Sequence, residues 1–192
     1  MSSWRIEQLE GEVVRLEPLS ASHLDDLWAA SRDPEVWRWL SITQPASRDE
    51  LGAWVDEAVA GPDLPFATVL RESSAAVGST RYLAVRPEHR SVEIGWTWLA
   101  RDAWGTGANV EAKLLMLSHA FDVWGCRRVE LKTDALNDRS RGAIEALGAS
   151  FEGVHRKHML VRGGENRDSA WYSVLDDEWP SVRARLLARL QR

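Results

Sequence analysis

The stretch that decides the fold is Ile94-Gly95-Trp96-Thr97-Trp98-Leu99-Ala100-Arg101-Asp102-Ala103-Trp104-Gly105-Thr106-Gly107, which runs on into a helical pattern ending near Trp124. The aromatic and β-branched residues before Ala100 read as a strand. Gly105 and Gly107 mark a turn. Beyond it Val110, Leu114, Leu117 and Phe121 recur at spacings of four, three and four, one stripe of a helix that Gly125 ends. A strand leading through a glycine turn into a helix N-terminus makes an anion site. The first N–H groups of the helix lack intrahelical partners, and the helix dipole adds positive character. Neither glycine has a side chain to keep a phosphate from the backbone. No Gly-Lys-Ser/Thr follows, so this is not a nucleoside-triphosphate loop, and the third glycine of a dinucleotide fingerprint is missing. Taken alone, the two glycines fit a phosphate cradle or a plain turn.

Upstream, residues 13–19 alternate apolar and polar and read as a strand that Pro18 edges. Three helical patterns follow. The first starts at Ser20 or Ser22, the second at Asp33-Pro34, and the third at Ser47, with Leu51, Trp54, Val55, Ala58 and Val59 on its apolar side. Strand-like runs cover 66–71, 76–85 and 92–99. Downstream, a short strand (128–133) and a helix (137–147, stopped by Gly148) precede strands at 150–161 and 169–175. Those two flank the hairpin signal Arg162-Gly163-Gly164-Glu165. A last helix starts at Pro180 or Ser181. The strand–helix–strand unit demands a crossover and a parallel pair inside an otherwise antiparallel set. A mixed α/β sheet with helices on both faces is therefore expected, in one domain spanning residues 1–192.

Composition narrows the function classes. Hydrophobic residues make up 44% and charged residues 28%, ordinary values for a globular chain. No apolar run is long enough to span a bilayer, and residues 1–10 lack the form of a signal peptide. The single cysteine, Cys126, excludes an intrachain disulfide and suits a reducing cytoplasm. A net charge of −5 argues against direct nucleic-acid binding and is compatible with a cationic amine partner. No His/Cys/Asp/Glu spacing suggests a metal site. Eleven tryptophans point to core packing at most positions, with a pocket or interface open for the rest.

After the strand at 128–133 comes Asp134-Ala135-Leu136-Asn137-Asp138-Arg139-Ser140-Arg141, then Ala143-Ile144-Glu145-Ala146-Leu147-Gly148-Ala149. This Asn-x-x-Ser helix start with its Leu-Gly-Ala end resembles the second half of the cofactor site in the GNAT superfamily of N-acetyltransferases. Arg15-Leu16-Glu17-Pro18-Leu19, Trp104-Gly105-x-Gly107, Glu111-Ala112, and Tyr172-Ser173-Val174-Leu175 with Glu178-Trp179 are similar to the RimJ/RimL-type branch, which acts on ribosomal-protein N-termini. The resemblance runs from about Val13 to Trp179. It implies the GNAT (acyl-CoA N-acyltransferase) fold, with one splayed parallel strand pair. It implies acetyl transfer from acetyl-CoA to a primary amine, either the N-terminal amine of a protein or a small-molecule amine, amino acid or antibiotic. Related proteins often pair, which makes a homodimer an expectation. By the same resemblance, pantetheine pairs with the backbone at Trp96, Thr97, Trp98 and Leu99. The pyrophosphate sits on Trp104, Gly105, Thr106, Gly107, Ala108 and Asn109. Asn137 binds the pantetheine arm, and Ser140 matches a hydroxyl near the CoA sulfur. Two positions depart from the family pattern. Asp102 puts an anion where Gln or Arg is usual, and Ala108 stands where Tyr or Phe is frequent, leaving Asn109 to supply an amide donor. Asp102 keeps open a protein that binds acyl-CoA without catalysis, and the tryptophans keep open an interaction module.

Acetyl transfer needs a neutral amine, a polarised carbonyl and a protonated or stabilised leaving thiolate. Glu93, just before Ile94-Gly95, is the candidate general base, with an ordinary strand carboxylate as the alternative. Ser140 is the candidate acid for the thiolate, or only a first-turn helix residue bonded to backbone. His155 and His158, three apart on one strand, should face opposite ways, so at most one lines a pocket. His119 reads as structural, and Cys126 has no His partner. Trp37, Trp39 and Trp54 fall where relatives build a wall of the acceptor cleft, with core packing expected for at least two.

Overall fold

The computed structural model describes residues 4–191. Its eight-stranded sheet contains β1 (Leu9–Glu10), β2 (Val14–Pro18), β3 (Leu64–Leu70), β4 (Ala76–Arg86), β5 (Ser91–Leu99), β6 (Arg128–Asp134), β7 (Ser150–Val161) and β8 (Glu165–Leu175). The order is β1-β2-β3-β4-β5-β6-β8-β7, and the one parallel contact, β5 with β6, lies at its centre. α1 (Leu24–Ala30) and α2 (Arg48–Ala60) cover one face. α3 (Ala108–Ser118), α4 (Asp138–Leu147) and α5 (Trp179–Leu190) cover the other. The expected mixed sheet with helices on both faces is the one observed. Among the described residues no helix is long and apolar enough to cross a membrane.

What positions the site is the parting of β5 from β6. They pair at Ser91↔Arg128, Val92↔Val129, Glu93↔Glu130 and Ile94↔Leu131, and no further, although β5 continues to Leu99 and β6 to Asp134. A bulge accompanies the divergence. Ser79 of β4 opposes Trp98 and Arg81 opposes Gly95, so Thr80 faces two residues of β5. Trp96 takes a positive φ of 50° there. An extra residue on one strand bends that strand and strengthens its twist. Arg81 braces the bulge from the α2 side, its guanidinium 4.9 Å from the Trp54 ring and 4.8 Å from the Trp96 ring.

Local chemistry explains most boundaries. Ser47 caps α2 by accepting the Glu50 N–H at 3.1 Å, and the helix buries Leu51, Trp54, Val55 and Ala58, while Val59 stays exposed. Gly148, in the left-handed region at φ 112°, ends α4. Other elements differ from expectation. Asp33-Pro34 opens a single 3₁₀ turn, Pro34–Val36, rather than a helix. The long helical pattern ends as a π turn at His119–Val123. On α3, Val110 and Leu114 are only half-buried, while Glu111 and Lys113 are buried. The Glu111 carboxylate explains its own burial. It accepts the backbone N–H of Glu12, Val13 and Val14 at 2.9, 2.7 and 2.6 Å, satisfying the turn between β1 and β2.

Candidate active site

The divergence of β5 and β6 opens a cleft of about 590 Å³, within the range of small-molecule sites. One end is built from the glycine turn. Gly105 and Gly107 hold φ values of 79° and 89°, conformations that glycine adopts without a Cβ clash, and Gly107 is the N-cap of α3. The first-turn N–H groups of α3 therefore have no intrahelical acceptor. Trp104, Gly105, Gly107 and Asn109 line the cleft, and the Oδ1 of Asn109 is buried without a partner. Thr106 and Ala108 do not line it. The Thr106 hydroxyl donates to the Ala103 carbonyl at 2.8 Å and accepts the Ala108 N–H at 3.4 Å, so it braces the turn, and Ala108 is fully buried.

Asp102, an anion in the wrong place by sequence, is exposed. It borders a separate depression with Glu12 and Glu72, outside the main cleft. The charges that do line this end of the cleft are Arg139 and Arg189. The Arg139 guanidinium lies 3.3 Å from the centre of the Trp104 ring, and Trp104 Nε1 donates to the Leu99 carbonyl at 2.9 Å. Trp104 thus ties the end of β5, the glycine turn and the first turn of α4 together.

Along the middle of the cleft, Trp96, Thr97, Trp98 and Leu99 form the edge of β5 that β6 leaves unpaired. Across from them stand Asn137 and Ser140. Asn137 caps α4, its Oδ1 accepting the Ser140 N–H at 3.1 Å. That use of the oxygen leaves the amide NH₂ as a donor. Ser140 follows on the first turn of α4.

Glu93 lies next to the last paired residues of β5 and β6 and is 2% exposed. Lys132 Nζ donates to its Oε2 at 2.9 Å, and Oε1 is buried with no partner. Burial raises the Glu93 pKa, and the Lys132 ammonium opposes that shift. Its side chain is on the sheet face opposite α3, α4 and α5, together with Lys132 and Trp171.

The end of the cleft beside β7 and β8 differs from the sequence reading in one respect. His155 pairs with Ser169 and Met159 with Arg167, so four steps of β7 match two of β8, and Lys157 takes a φ of 50°. This bulge cancels the alternation that would separate His155 from His158. Their rings lie 5.7 Å apart, and both pack on Trp171. Trp37 and Trp54 are buried in the core beneath α1 and α2, and Trp39 is half-buried and lines the cleft. Arg162 fastens the β7–β8 hairpin over this end, its N–H donating to the Ser41 carbonyl at 2.9 Å and its Nη1 to the Leu40 carbonyl at 2.7 Å.

Lys113, Lys132 and Arg167 line the cleft without having been singled out in the sequence. Lys113 had left a signal. It lies three residues after Val110 and four before Leu117, inside the apolar stripe. Its ammonium donates to Thr97 Oγ1 at 2.6 Å and Thr80 Oγ1 at 3.3 Å, and burial pulls its pKa down to about 7. Cys126 is buried, its thiol pushed up to about 12, so it is no nucleophile. His119 packs edge-on against Trp124 as a structural residue. Among the described residues no group of three or more His, Cys, Asp or Glu could hold a metal ion.

Comparison with known proteins agrees with this geometry. The N-acetyltransferase p20 of Bacillus licheniformis is 25% identical over 162 residues, 82% of this chain and 90% of that protein. YdaF of Bacillus subtilis, which carries a provisional ribosomal N-acetyltransferase name, is 32% identical over 91 residues, 47% of this chain and 49% of its own. The crystal structure of a GCN5-related N-acetyltransferase from Brucella melitensis superposes with a TM-score of 0.92 at 39% identity, covering 96% of this chain and 85% of that one. The family description "Acetyltransferase (GNAT) domain" matches residues 14–150, which carry every strand from β2 to β6, the glycine turn and α4. The chain belongs to the GNAT family of acetyltransferases.

Proposed function

We propose that the protein transfers an acetyl group from acetyl-CoA to a primary amine, with Glu93 as the general base. The observation that carries this reading is Glu93 itself, a carboxylate 2% exposed on the cleft lining, with one oxygen held by Lys132 and the other free. The cleft fits the co-substrate on chemical grounds. The first-turn N–H groups of α3, the two glycines, Asn109, Arg139 and Arg189 would hold a diphosphate. Thr106 and Ala108 would contribute through the backbone alone. The unpaired edge from Trp96 to Leu99 and the Asn137 NH₂ would hold the pantetheine amides. Acetyl-CoA supplies an activated acetyl thioester. Glu93 takes the proton from the acceptor ammonium or amine, and Lys132 keeps that carboxylate ionised against the cost of burial. Ser140 places a hydroxyl on the α4 wall as the proton donor for the leaving thiolate. Release of CoA thiol in the presence of an amine tests the activity. An acyl-CoA-binding protein without catalysis would bind the thioester and release nothing above background with any amine.

For the acceptor, the RimJ/RimL-like motifs and the YdaF relationship support a protein N-terminus. A small amine or amino acid suits the same chemistry, with Glu93 as the one carboxylate on the cleft lining among the described residues. Turnover of N-terminal peptides against free amino acids separates the two. A cytoplasmic homodimer belongs to the same reading. Edge strand β7 exposes Phe151, Val154 and Leu160, a surface suited to a second copy, and sedimentation of the purified protein tests it.

A further inference from the structure

The acceptor half of the cleft contains a buried cation that makes no salt bridge among the described residues. Arg167 lies on β8 opposite Met159 and is 8% exposed. It lines the cleft, and its Nε is buried without an acceptor. Its neighbours are otherwise engaged. Arg162 pairs with Glu165, and Lys132 pairs with Glu93. Asp134 acts on Arg167 through its charge without forming a salt bridge with it, and its Oδ1 accepts the Leu136 N–H at 3.0 Å, which closes the turn before α4. Arg167 forms no ion pair among the described residues. A guanidinium presents a planar fork of donors, and a buried donor such as this Nε is costly without an acceptor.

The surroundings specify what could fill it. Among the described residues Glu93 is the one carboxylate lining the cleft, against Lys113, Lys132, Arg139, Arg167 and Arg189. Arg139 stacks on Trp104 of the glycine turn, and Leu190, the neighbour of Arg189, approaches Gly107, so these two arginines belong to the phosphate end. Lys113 is held by Thr97 and Thr80 along the middle of the cleft, which leaves Lys132 and Arg167 at the acceptor end. His158 stands beside them, and its ring is held toward the neutral form by burial and then by Lys132, His155 and Arg167. A polyamine or a basic peptide would meet repulsion in this corner. A compound with an amine and a carboxylate a few bonds apart would not. Its amine would face Glu93 and its carboxylate would fill the Arg167 fork. Glu93 and Arg167 line the same cleft, so a compound lying along that lining can address both.

We propose that Arg167 is the carboxylate anchor of the acceptor subsite, and that the acceptor is a free amino acid or a similarly compact amino-carboxylate. This rests on the N-acetyltransferase reading above. The test is CoA release with a panel of L-amino acids, their carboxamides, spermidine and an N-terminal peptide, using wild type, Arg167→Gln and Arg167→Lys. Melting and acetyl-CoA affinity are measured alongside. The best amino acid should exceed its carboxamide in kcat/KM by about ten- to a hundredfold, the worth of one charged hydrogen-bonded contact. Arg167→Gln should erase that preference, chiefly by raising KM for the amino acid, while acetyl-CoA affinity holds, and Arg167→Lys should recover part of it. The wild-type preference needs no variant, so it stands as a test even where a variant folds badly. Carboxamides or spermidine used as well as amino acids would overturn the proposal, as would an Arg167→Gln enzyme that keeps the preference. Absence of acetyl-CoA binding to wild type would sink the N-acetyltransferase reading itself. Binding with turnover of other amines and of no amino acid would sink the carboxylate anchor alone.

Discussion

At the scale of single residues, Glu93 and Lys132 form the pair on which the proposed chemistry turns. Burial raises the Glu93 pKa and Lys132 lowers it. Glu93→Gln should reduce kcat by ~10²–10⁴, the usual contribution of a general base, with acetyl-CoA affinity unchanged. A base acts in its deprotonated form, so the rate must fall as pH drops through the raised Glu93 pKa. Lys132→Met removes the cation that opposes burial. The acidic limb of kcat/KM should then move to higher pH, and an acidic limb that stays in place would assign the titration to another group. Glu93 drew notice in the sequence because it stands just before Ile94-Gly95 on the strand that runs into the glycine turn. Lys132 did not. Its contact with Glu93 crosses two parallel strands 39 positions apart, and a single sequence carries no trace of that register. Arg167 escaped for the same reason, since it reaches the cleft through the pairing of β8 with strands distant in sequence.

At the scale of elements, α3 separates what periodicity reveals from what it hides. The spacing of apolar residues located the helix, and the glycine turn located its start. The two charges on its buried face follow from partners far away in sequence. Glu111 serves the backbone of residues 12–14. Glu111→Ala would strand three N–H donors, one of them on the buried Val14, and should cost about 1–3 kcal/mol or more in urea unfolding. Lys113 works in the opposite sense. The unfolded chain holds its proton up to about 10.5, the folded chain only to about 7, because burial disfavours the ammonium. Between those values the unfolded state binds more protons, so stability rises with pH there, and below about 7 the full cost of burying the charge is present. Lys113→Met should therefore be more stable than wild type at pH 6, by on the order of a few kcal/mol, with the advantage shrinking by pH 9. Denaturant melts at the two pH values measure this, and an advantage that does not depend on pH would mean the amine is not titrating in that window. The bulges at Trp96 and at His155–Met159 were likewise hidden, because alternation along a strand assumes regular pairing.

At the scale of the whole molecule, the order of elements carried more information than any motif. One strand–helix–strand unit inside an antiparallel series requires a parallel pair, and the cleft is the place where that pair parts. Ligand binding there should stabilise the entire fold, since only the native sheet assembles both walls. At a hundredfold excess over its dissociation constant, acetyl-CoA should add ~2.7 kcal/mol. For a chain of this size that raises Tm by roughly 5–10 °C. Glu93→Gln should keep the full shift, because Glu93 serves the acceptor amine and not the diphosphate or the pantetheine. Gly107→Ala should lose much of it. Gly107 holds a φ of 89° as the N-cap of α3, where an L side chain costs about 1–2 kcal/mol, so the unliganded protein should melt lower and the strained turn should hold the diphosphate less well. Two melting curves per variant decide the matter. A Gly107→Ala protein that melts lower yet shows the full acetyl-CoA shift would place the diphosphate away from the glycine turn. Loss of the shift with Glu93→Gln would mean that the proposed base also holds the co-substrate.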